Sequence, residues 1–149
     1  MPNSIPELRF EDCVQGMQAE FSVTITEELV RAFAELSGDQ NPIHVDETYA
    51  EQTPFHGRIA HGMIASALFS RLIGMHLPGL FSLYLSQQLN FRKPMHIGDE
   101  VIVRGTITQK TESMQVIRIR TELIHQGTLE TLVDGEAMVK MRVDKSISR

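Results

Sequence analysis

The chain has 149 residues and a formal net charge of −5, from 14 lysines and arginines against 19 aspartates and glutamates. This size predicts one domain, residues 1–149 with a core over about residues 15–143, that buries enough apolar surface to fold without disulfides. The acidic balance argues against a nucleic-acid-binding protein, and the lack of a long apolar run argues against a membrane protein. The polar N-terminus does not resemble a secretory signal, so we expect a cytoplasmic protein.

A strand is expected near residues 17–24, followed by an amphipathic helix. Thr24 and Glu27 fit a capping box, in which each residue satisfies a free backbone N–H at the start of a helix. Gly38 is placed to end this helix after Ser37. The apolar positions that alternate along the strand are Ala19, Phe21 and Val23.

Two further helices are predicted before residue 80. Residues 39–44 form a loop, and Asp46 is placed to cap a short helix over about residues 47–52. A long helix is expected from Gly62 to His76, where a Leu-Pro-Gly sequence follows and stops it. Because this helix is apolar on almost every side, it should be central and surrounded.

After residue 80 the apolar period changes from about 3.6 residues to about 2, which predicts long antiparallel strands with one wet face. Such a sheet needs a cover, and the 62–76 helix is the candidate. The predicted fold class is therefore α+β, a hot-dog fold in which a long antiparallel sheet wraps around a central α-helix. Its open sheet edge predicts a homodimer. The predicted apolar faces are Leu83, Leu85, Gln87, Leu89 and Phe91; Val101, Val103, Gly105 and Ile107; Ile117, Ile119, Thr121 and Leu123; and Val133, Gly135, Ala137, Val139, Met141 and Val143.

The loop after the first helix concentrates polar chemistry. Asp39, Asn41 and His44 place a carboxylate, a carboxamide and an imidazole in one turn-rich segment. The imidazole and the carboxylate can move protons to and from a water, and the carboxamide can position it. Equally, Asp39 and Asn41 can stabilise a turn and cap the next helix, with His44 half exposed. The residue pattern alone leaves both interpretations open.

A second candidate lies where the long helix begins. A substrate carbonyl can approach the N–H of Gly62 closely because glycine has no side chain, and such an N–H can stabilise an oxyanion. The alternative is that Gly62 only makes a tight entry into the helix. Ser66 and Ser70 lie one turn apart and either bond backbone carbonyls or line a pocket. His56 and His61 lack the spacing of metal ligands, so no metal is expected.

The segment Ser37-Gly38-Asp39-Gln40-Asn41-Pro42-Ile43-His44, followed by Ala60-His61-Gly62-Met63, resembles the MaoC-like dehydratases. It is most similar to the short (R)-specific enoyl-CoA hydratases, over about residues 15–143. The resemblance implies reversible hydration of a trans-2-enoyl-CoA to the (R)-3-hydroxyacyl-CoA. The residues themselves show no metal-ligand set, and no cofactor is expected.

The resemblance also implies a role for each motif residue. Asp39 and His44 would be the dyad that activates water, with Asn41 helping to position it. The N–H of Gly62 would polarise the thioester carbonyl. Ser70 would support the site, and His61 and Met63 beside Gly62 would contact the substrate. Among loop and strand-end cations, Arg58, Arg92 and Lys93 are candidates for the phosphates of coenzyme A.

Other functions remain open at this point. A thioesterase on the same fold would use a carboxylate and a helix N-terminus without the Asn-Pro-x-His segment. A non-catalytic acyl-CoA-binding module has no need of an acid–base pair, which the Asp39 and His44 motif provides. The acyl group itself, straight, branched or dicarboxylic, does not follow from the motif.

Overall fold

The computed structural model describes residues 4–144, so the ends of the predicted 1–149 domain lie outside the described residues. The helices are α1 (Glu27–Ser37), α2 (Pro42–Val45), α3 (Glu47–Glu51) and α4 (Ile64–Met75). The strands are β1 (Gln18–Thr24), β2 (Ser82–Phe91), β3 (Glu100–Thr111), β4 (Val116–His125) and β5 (Thr131–Met141). Short 3-10 turns precede β1 and β4.

The five strands form one antiparallel sheet in the order β1-β3-β4-β5-β2, with β1 and β2 at its edges. Helix α4 packs against one face of this sheet, contacting β1, β2 and β3. This is the predicted α+β hot-dog arrangement. The alternation in β3 and β4 is confirmed, because the residues predicted to face the core are buried there: Val101, Val103, Gly105, Ile107, Ile117, Ile119, Thr121 and Leu123.

Helix α4 is covered on one side only. Ile64, Phe69 and Leu72 are fully buried, whereas Met63 and Met75 keep 49% and 39% of their surface exposed. The prediction that this helix is surrounded is therefore wrong for the single chain. No helix formed by residues 4–144 is long and apolar enough to cross a membrane.

The predicted capping box is wrong by two residues. Thr24 is the last residue of β1, where it pairs with Glu100 of β3, so the chain is still extended there. Thr26 caps α1 instead, and its side chain accepts a hydrogen bond from the N–H of Leu29 at 3.1 Å. The predicted end of α1 is confirmed, because Gly38 follows Ser37 in the left-handed conformation at φ 77°.

A bulge in β2 overturns the predicted face for the first half of that strand. The pairing of β2 with β5 shifts between Tyr84 and Ser86, and one extra residue reverses which side chains face the core. Tyr84 therefore packs on the core, while Leu83 and Leu85 are each 48% exposed on the other face. Leu89, which follows the bulge, packs on the core as predicted. Periodicity cannot reveal a bulge that strand pairing creates.

Two glycines flank the buried Thr121 in neighbouring strands, Gly105 in β3 and Gly135 in β5. A Cβ on Gly135 would lie 1.7 Å from the backbone oxygen of Gln88, whereas a Cβ on Gly105 would lie 3.0 Å from a methyl group of Leu72. A side chain can give way more easily than a strand backbone.

We therefore expect Gly135→Ala to lower the free energy of unfolding by at least about 3 kcal/mol, the upper part of the range for overpacking. Gly105→Ala is the matched control and should cost about 1 kcal/mol. Urea unfolding at one protein concentration measures the free energy of unfolding of both variants. Equal midpoints for the two variants would contradict the close approach of β2 to Gly135.

Candidate active site

The loop after α1 is built by its own polar side chains. The Oδ1 atom of Asp39 accepts a hydrogen bond from the N–H of Asn41 at 3.1 Å. The Oδ1 atom of Asn41 in turn accepts from the N–H of Ile43 at 3.1 Å and caps α2, with Pro42 at its start. The carboxamide oxygen of Asn41 thus has a structural task. The turn-forming interpretation is therefore correct for the Oδ1 atoms of Asp39 and Asn41. The Oδ2 atom of Asp39 takes no part in the turn and can accept a hydrogen bond from a water.

His44 lies in α2, and a carbonyl fixes its tautomer. Its Nδ1 atom is 2.7 Å from the backbone oxygen of Ile59. Because a carbonyl oxygen can only accept, the partner assigns the proton to Nδ1. In the neutral ring Nε2 then carries a lone pair, and this atom lies 3.9 Å from Oδ2 of Asp39.

The gap between His44 and Asp39 suits a bridging water. A separation of 3.9 Å is too long for a direct hydrogen bond. It allows one water to donate to both Nε2 and Oδ2, which are both acceptors. Such a water has its two protons held and an oxygen lone pair free to attack. The pair can therefore act as general base toward that water.

His61 lies behind this pair. It is 2% exposed, its ring stacks on that of His44 with centroids 3.9 Å apart, and its Nε2 atom is 2.9 Å from the backbone oxygen of Asp39. Its Nδ1 atom is buried and has no hydrogen-bond partner within residues 4–144. Sequence reasoning placed His61 against the substrate, and the structure places it against Asp39 of the loop and His44 of α2.

Gly62 and His44 line the same cavity, which has a volume of about 420 Å³. The helix was predicted to begin at Gly62 and begins two residues later, at Ile64, so Gly62 lies in the turn before α4. Within the described residues the N–H of Gly62 has no hydrogen-bond acceptor. The rest of the cavity wall is mainly apolar: Phe55, Ile59, Ala60, Met63, Phe91, Pro94, Met95 and Val133, with Arg92 and Lys93. A free N–H in an apolar cavity is a suitable donor for a developing oxyanion.

Phe91 and Phe55 were missed as site residues by sequence reasoning. Phe91 packs so closely on Gly62 that a Cβ there would lie 2.9 Å from its ring. Phe91 is the last residue of β2, and Phe55 lies in the loop after α3, 36 residues away in the chain. Nothing in the local sequence indicates that the two rings line the same cavity.

Of the other residues predicted to contact the substrate, one lines the cavity and two do not. Met63 lines the cavity, but Ser70 is exposed on α4 and does not line it. Ser66 donates to the backbone oxygen of Met63 at 2.6 Å, the commoner role for a helical serine. Arg58 lies outside this cavity, with Nη2 at 2.6 Å from Glu27 and Nε at 2.9 Å from Glu47. Its guanidinium is therefore already engaged by two carboxylates.

Asp39, His44 and His61 each offer one ligand atom, and these atoms lie within 4.8 Å of one another. The two imidazole rings are stacked with an interplanar angle of 28°. Imidazole binds a metal in the plane of its ring. An ion in the plane of one stacked ring would lie well out of the plane of the other, so the arrangement favours a shared water over a shared ion.

The Arg58 ion pairs predict how stability depends on pH. The hydrogen bond from Arg58 lowers the pKa of the Glu27 carboxyl below its ordinary value of 4.5. A carboxyl whose pKa is lower in the folded state stabilises that state above the ordinary value, and the contribution is lost as pH falls through the lowered pKa. Hydrogen bonds from Arg92 and from Lys93 lower the pKa of Asp134 and of Glu130 in the same direction.

We expect the melting temperature to be steady from pH 7 to 5 and to fall below about pH 4.5. Arg58→Ala should melt at a lower temperature at pH 7, and its difference from the unaltered protein should shrink in acid. Arg31→Ala is the control, because its contact with Glu27 is 3.5 Å long and exposed. Scanning calorimetry over pH 3–7 measures the melting temperatures of the three proteins. A constant difference at every pH would contradict the pairing.

Comparison with known proteins shows which family the chain belongs to. Residues 11–128 match the model of the MaoC-like domain family. A 3-hydroxybutyryl-CoA dehydratase of Methylorubrum extorquens is 41% identical over 140 residues, covering 92% of this chain and 88% of the relative. An (R)-specific enoyl-CoA hydratase of Aeromonas caviae is 40% identical over 126 residues, covering 85% and 93%.

Solved structures give the same result for the fold. An (R)-hydratase from A. caviae involved in PHA biosynthesis has a TM-score of 0.85 at 39% identity, over 89% of this chain and 99% of that one. An unliganded R-hydratase from Pseudomonas aeruginosa has a TM-score of 0.86 at 35% identity, over 93% and 91%. The chain therefore belongs to the MaoC-like domain family.

Proposed function

We propose that this protein is an (R)-specific enoyl-CoA hydratase, a hydro-lyase that reversibly adds water to a trans-2-enoyl-CoA. One observation carries the proposal: His44 and Gly62 line one cavity, and Asp39 lies 3.9 Å from His44. The N–H of Gly62 has no acceptor within residues 4–144 and is available to a ligand. A thioester carbonyl at Gly62 and a water at the His44–Asp39 gap would then be held together. The similarity to (R)-specific enoyl-CoA hydratases over most of the chain supports the same substrate class.

The reaction uses these groups in order. The water oxygen forms a bond to C3 of the substrate while one of its protons passes to the Asp39–His44 pair. The C2–C3 π electrons move toward the thioester oxygen, where the Gly62 N–H stabilises the enolate charge. The proton is then delivered from the pair to C2 as the carbonyl re-forms. All atoms of the water end in the 3-hydroxyacyl product.

The coenzyme A part must be held by a few cations, because the chain is acidic overall. Arg92 and Lys93 line the cavity and are about half exposed. Each is now paired with a carboxylate, Arg92 with Asp134 at 3.1 Å and Lys93 with Glu130. We propose that the phosphates of coenzyme A compete with these carboxylates for the two cations, and that Arg58 does not take part because it lies outside the cavity.

The test is an assay with trans-2-enoyl-CoAs of four to twelve carbons, followed by chiral analysis of the product. We expect loss of the enoyl absorbance, no release of free thiol, and an (R)-3-hydroxyacyl product. Release of free thiol would identify a thioesterase. Binding without turnover would identify a non-catalytic acyl-CoA-binding module, and an (S) product would contradict the proposed stereochemistry.

We also propose that the working unit is a homodimer joined along β2. This edge strand exposes Leu83 and Leu85 at 48% each, and Leu80 just before it is 40% exposed. The other edge strand, β1, exposes polar side chains on its outer positions. An apolar edge needs a partner more than a polar one does, and a second copy offers the same strand.

Leu85→Lys is expected to shift the protein from dimer to monomer in analytical ultracentrifugation. A lysine on an edge strand opposes pairing because its charge would be buried between two copies. Ser22→Lys on β1 is the matched control and should leave the dimer intact. A monomeric unaltered protein, or a dimer that Leu85→Lys does not weaken, would contradict the assignment of β2.

A further inference from the structure

We propose that His61 is a positioning residue that sets the distance between Asp39 and His44, and that it does not bind substrate. The inference rests on the proposed hydratase function and deepens it. His61 is 2% exposed, whereas the side chain of His44 is 13% and that of Asp39 is 50% exposed. Its chain neighbours Ala60 and Gly62 line the cavity, and His61 does not. His61 therefore contacts the two acid–base residues on the side that faces away from the cavity.

The first contact holds the backbone of Asp39. The carbonyl of Asp39 can only accept, so Nε2 of His61 donates across the 2.9 Å contact. The other hydrogen bonds of Asp39 within residues 4–144 are local, to Ser37 at 3.1 Å and from Asn41 at 3.1 Å. The bond from His61, 22 residues along the chain, is therefore the one that ties this loop to the start of α4.

The second contact holds the ring of His44. The two imidazoles are stacked at 3.9 Å, and Phe33 of α1 contacts the His61 ring at 4.9 Å. His61 is thus held between α1 and His44. Together with the hydrogen bond from Nδ1 of His44 to Ile59, the stack fixes the ring in place. One side chain therefore touches both members of the pair whose 3.9 Å gap is to hold the water.

Packing alone does not account for a histidine at this place. With the proton on Nε2, the Nδ1 atom is a buried acceptor without a partner in the described part of the chain. Native proteins rarely bury an unpaired acceptor, and an apolar side chain of similar size would avoid it. What the imidazole supplies and phenylalanine cannot is the Nε2 donor to Asp39. The hydrogen bond to Asp39 is therefore the contact that we expect to matter for the reaction.

The decisive variants separate the donor from the ring. His61→Phe keeps an aromatic ring against His44 and removes the donor. His61→Gln places an amide nitrogen near the position of Nε2 and keeps the donor. His61→Asn is polar as well, but its nitrogen lies nearer the position of Nδ1 and cannot reach Asp39. His56→Asn, on an exposed residue with φ 57° that asparagine tolerates, is the control for loss of an imidazole in this region.

We expect His61→Phe and His61→Asn to lower kcat about 10- to 100-fold with KM within about twofold, since a shift near 1 Å in a reacting group has an effect of this size. His61→Gln should recover most of kcat, and His56→Asn should match the unaltered enzyme. A raised KM at unchanged kcat would overturn the proposal in favour of substrate binding. Equal losses in the Gln and Asn variants, or full activity in His61→Phe, would also overturn it.

A crystal structure of His61→Phe gives a second readout that does not depend on turnover. The distance between Nε2 of His44 and Oδ2 of Asp39 should differ from 3.9 Å, with the Asp39 loop displaced. An unchanged distance would contradict the positioning role. If the unaltered protein proves to have no hydratase activity, the proposed function fails, and this distance still decides whether His61 positions the pair. If His61→Phe does not fold, the Gln and Asn pair carries the same comparison.

Discussion

Asp39→Asn is expected to lower kcat for enoyl-CoA hydration at least about 100-fold, and His44→Gln should have an effect of similar size, because general acid–base groups contribute about 10²- to 10⁴-fold. The amide of Asn cannot take the proton that Oδ2 of Asp39 would accept from the water. The amide of Gln cannot act as the base that the Nε2 lone pair of His44 provides. Crotonyl-CoA hydration, followed by loss of absorbance, measures both.

A nearby carboxylate gives the control for this experiment. Asp46 caps α3 by accepting from the N–H of Tyr49 at 3.0 Å, and asparagine caps a helix equally well. Asp46→Asn should therefore keep both activity and melting temperature. The double variant Asp39→Asn/His44→Gln should lose little more than either single variant, because the two groups act on one water. Near-normal hydration by the single variants would refute the dyad.

Gly62→Ala is expected to lower kcat/KM about 100-fold while the fold is retained. The new methyl group would stand beside the N–H that the thioester oxygen must approach, and displacing a reacting group by about 1 Å has an effect of this order. The methyl would also lie 2.9 Å from the ring of Phe91. Because Phe91 is 53% exposed, its ring can rotate away, so the melting temperature should change little.

The two consequences of the Gly62 substitution can be separated by a double-mutant cycle with Phe91→Ala. In that background the methyl group has no ring to displace. We expect Gly62→Ala to remain harmful there, because access to the N–H is still hindered. Gly57→Ala is the control, since a Cβ there meets only an ordinary contact of 3.5 Å. If the loss disappears in the Phe91→Ala background, the N–H of Gly62 is not the oxyanion donor.

Local features of the chain were predictable because short-range physics sets them. Gly38 ends α1, Asp46 caps α3, and the alternation in β3 and β4 gives the buried face. The segment from Asp39 to His44 could be recognised as a candidate site because its residue types and spacing are local too. Neighbours along the chain decide all of these features, so the sequence displays them directly.

Features that depend on distant residues could not be predicted in this way. The bulge in β2, which turns Leu83 and Leu85 outward, arises from pairing with β5 about fifty residues later. Arg58 was expected to meet coenzyme A, and its engagement by Glu27 crosses 31 residues. Ser70 was expected at the site, but its place on α4 leaves it exposed in the single chain.

The sequence by itself determined the hot-dog class, and it singled out Asp39, His44 and Gly62 as the candidate site residues. Only the tertiary structure decided how these groups act together. It set the 3.9 Å gap between His44 and Asp39, and it brought Gly62 and His44 to the same cavity. It also turned His61 away from the cavity and onto the pair. The reason is physical: residue types fix which protons can move, whereas distances between residues far apart in the chain follow from how the helices pack on the sheet.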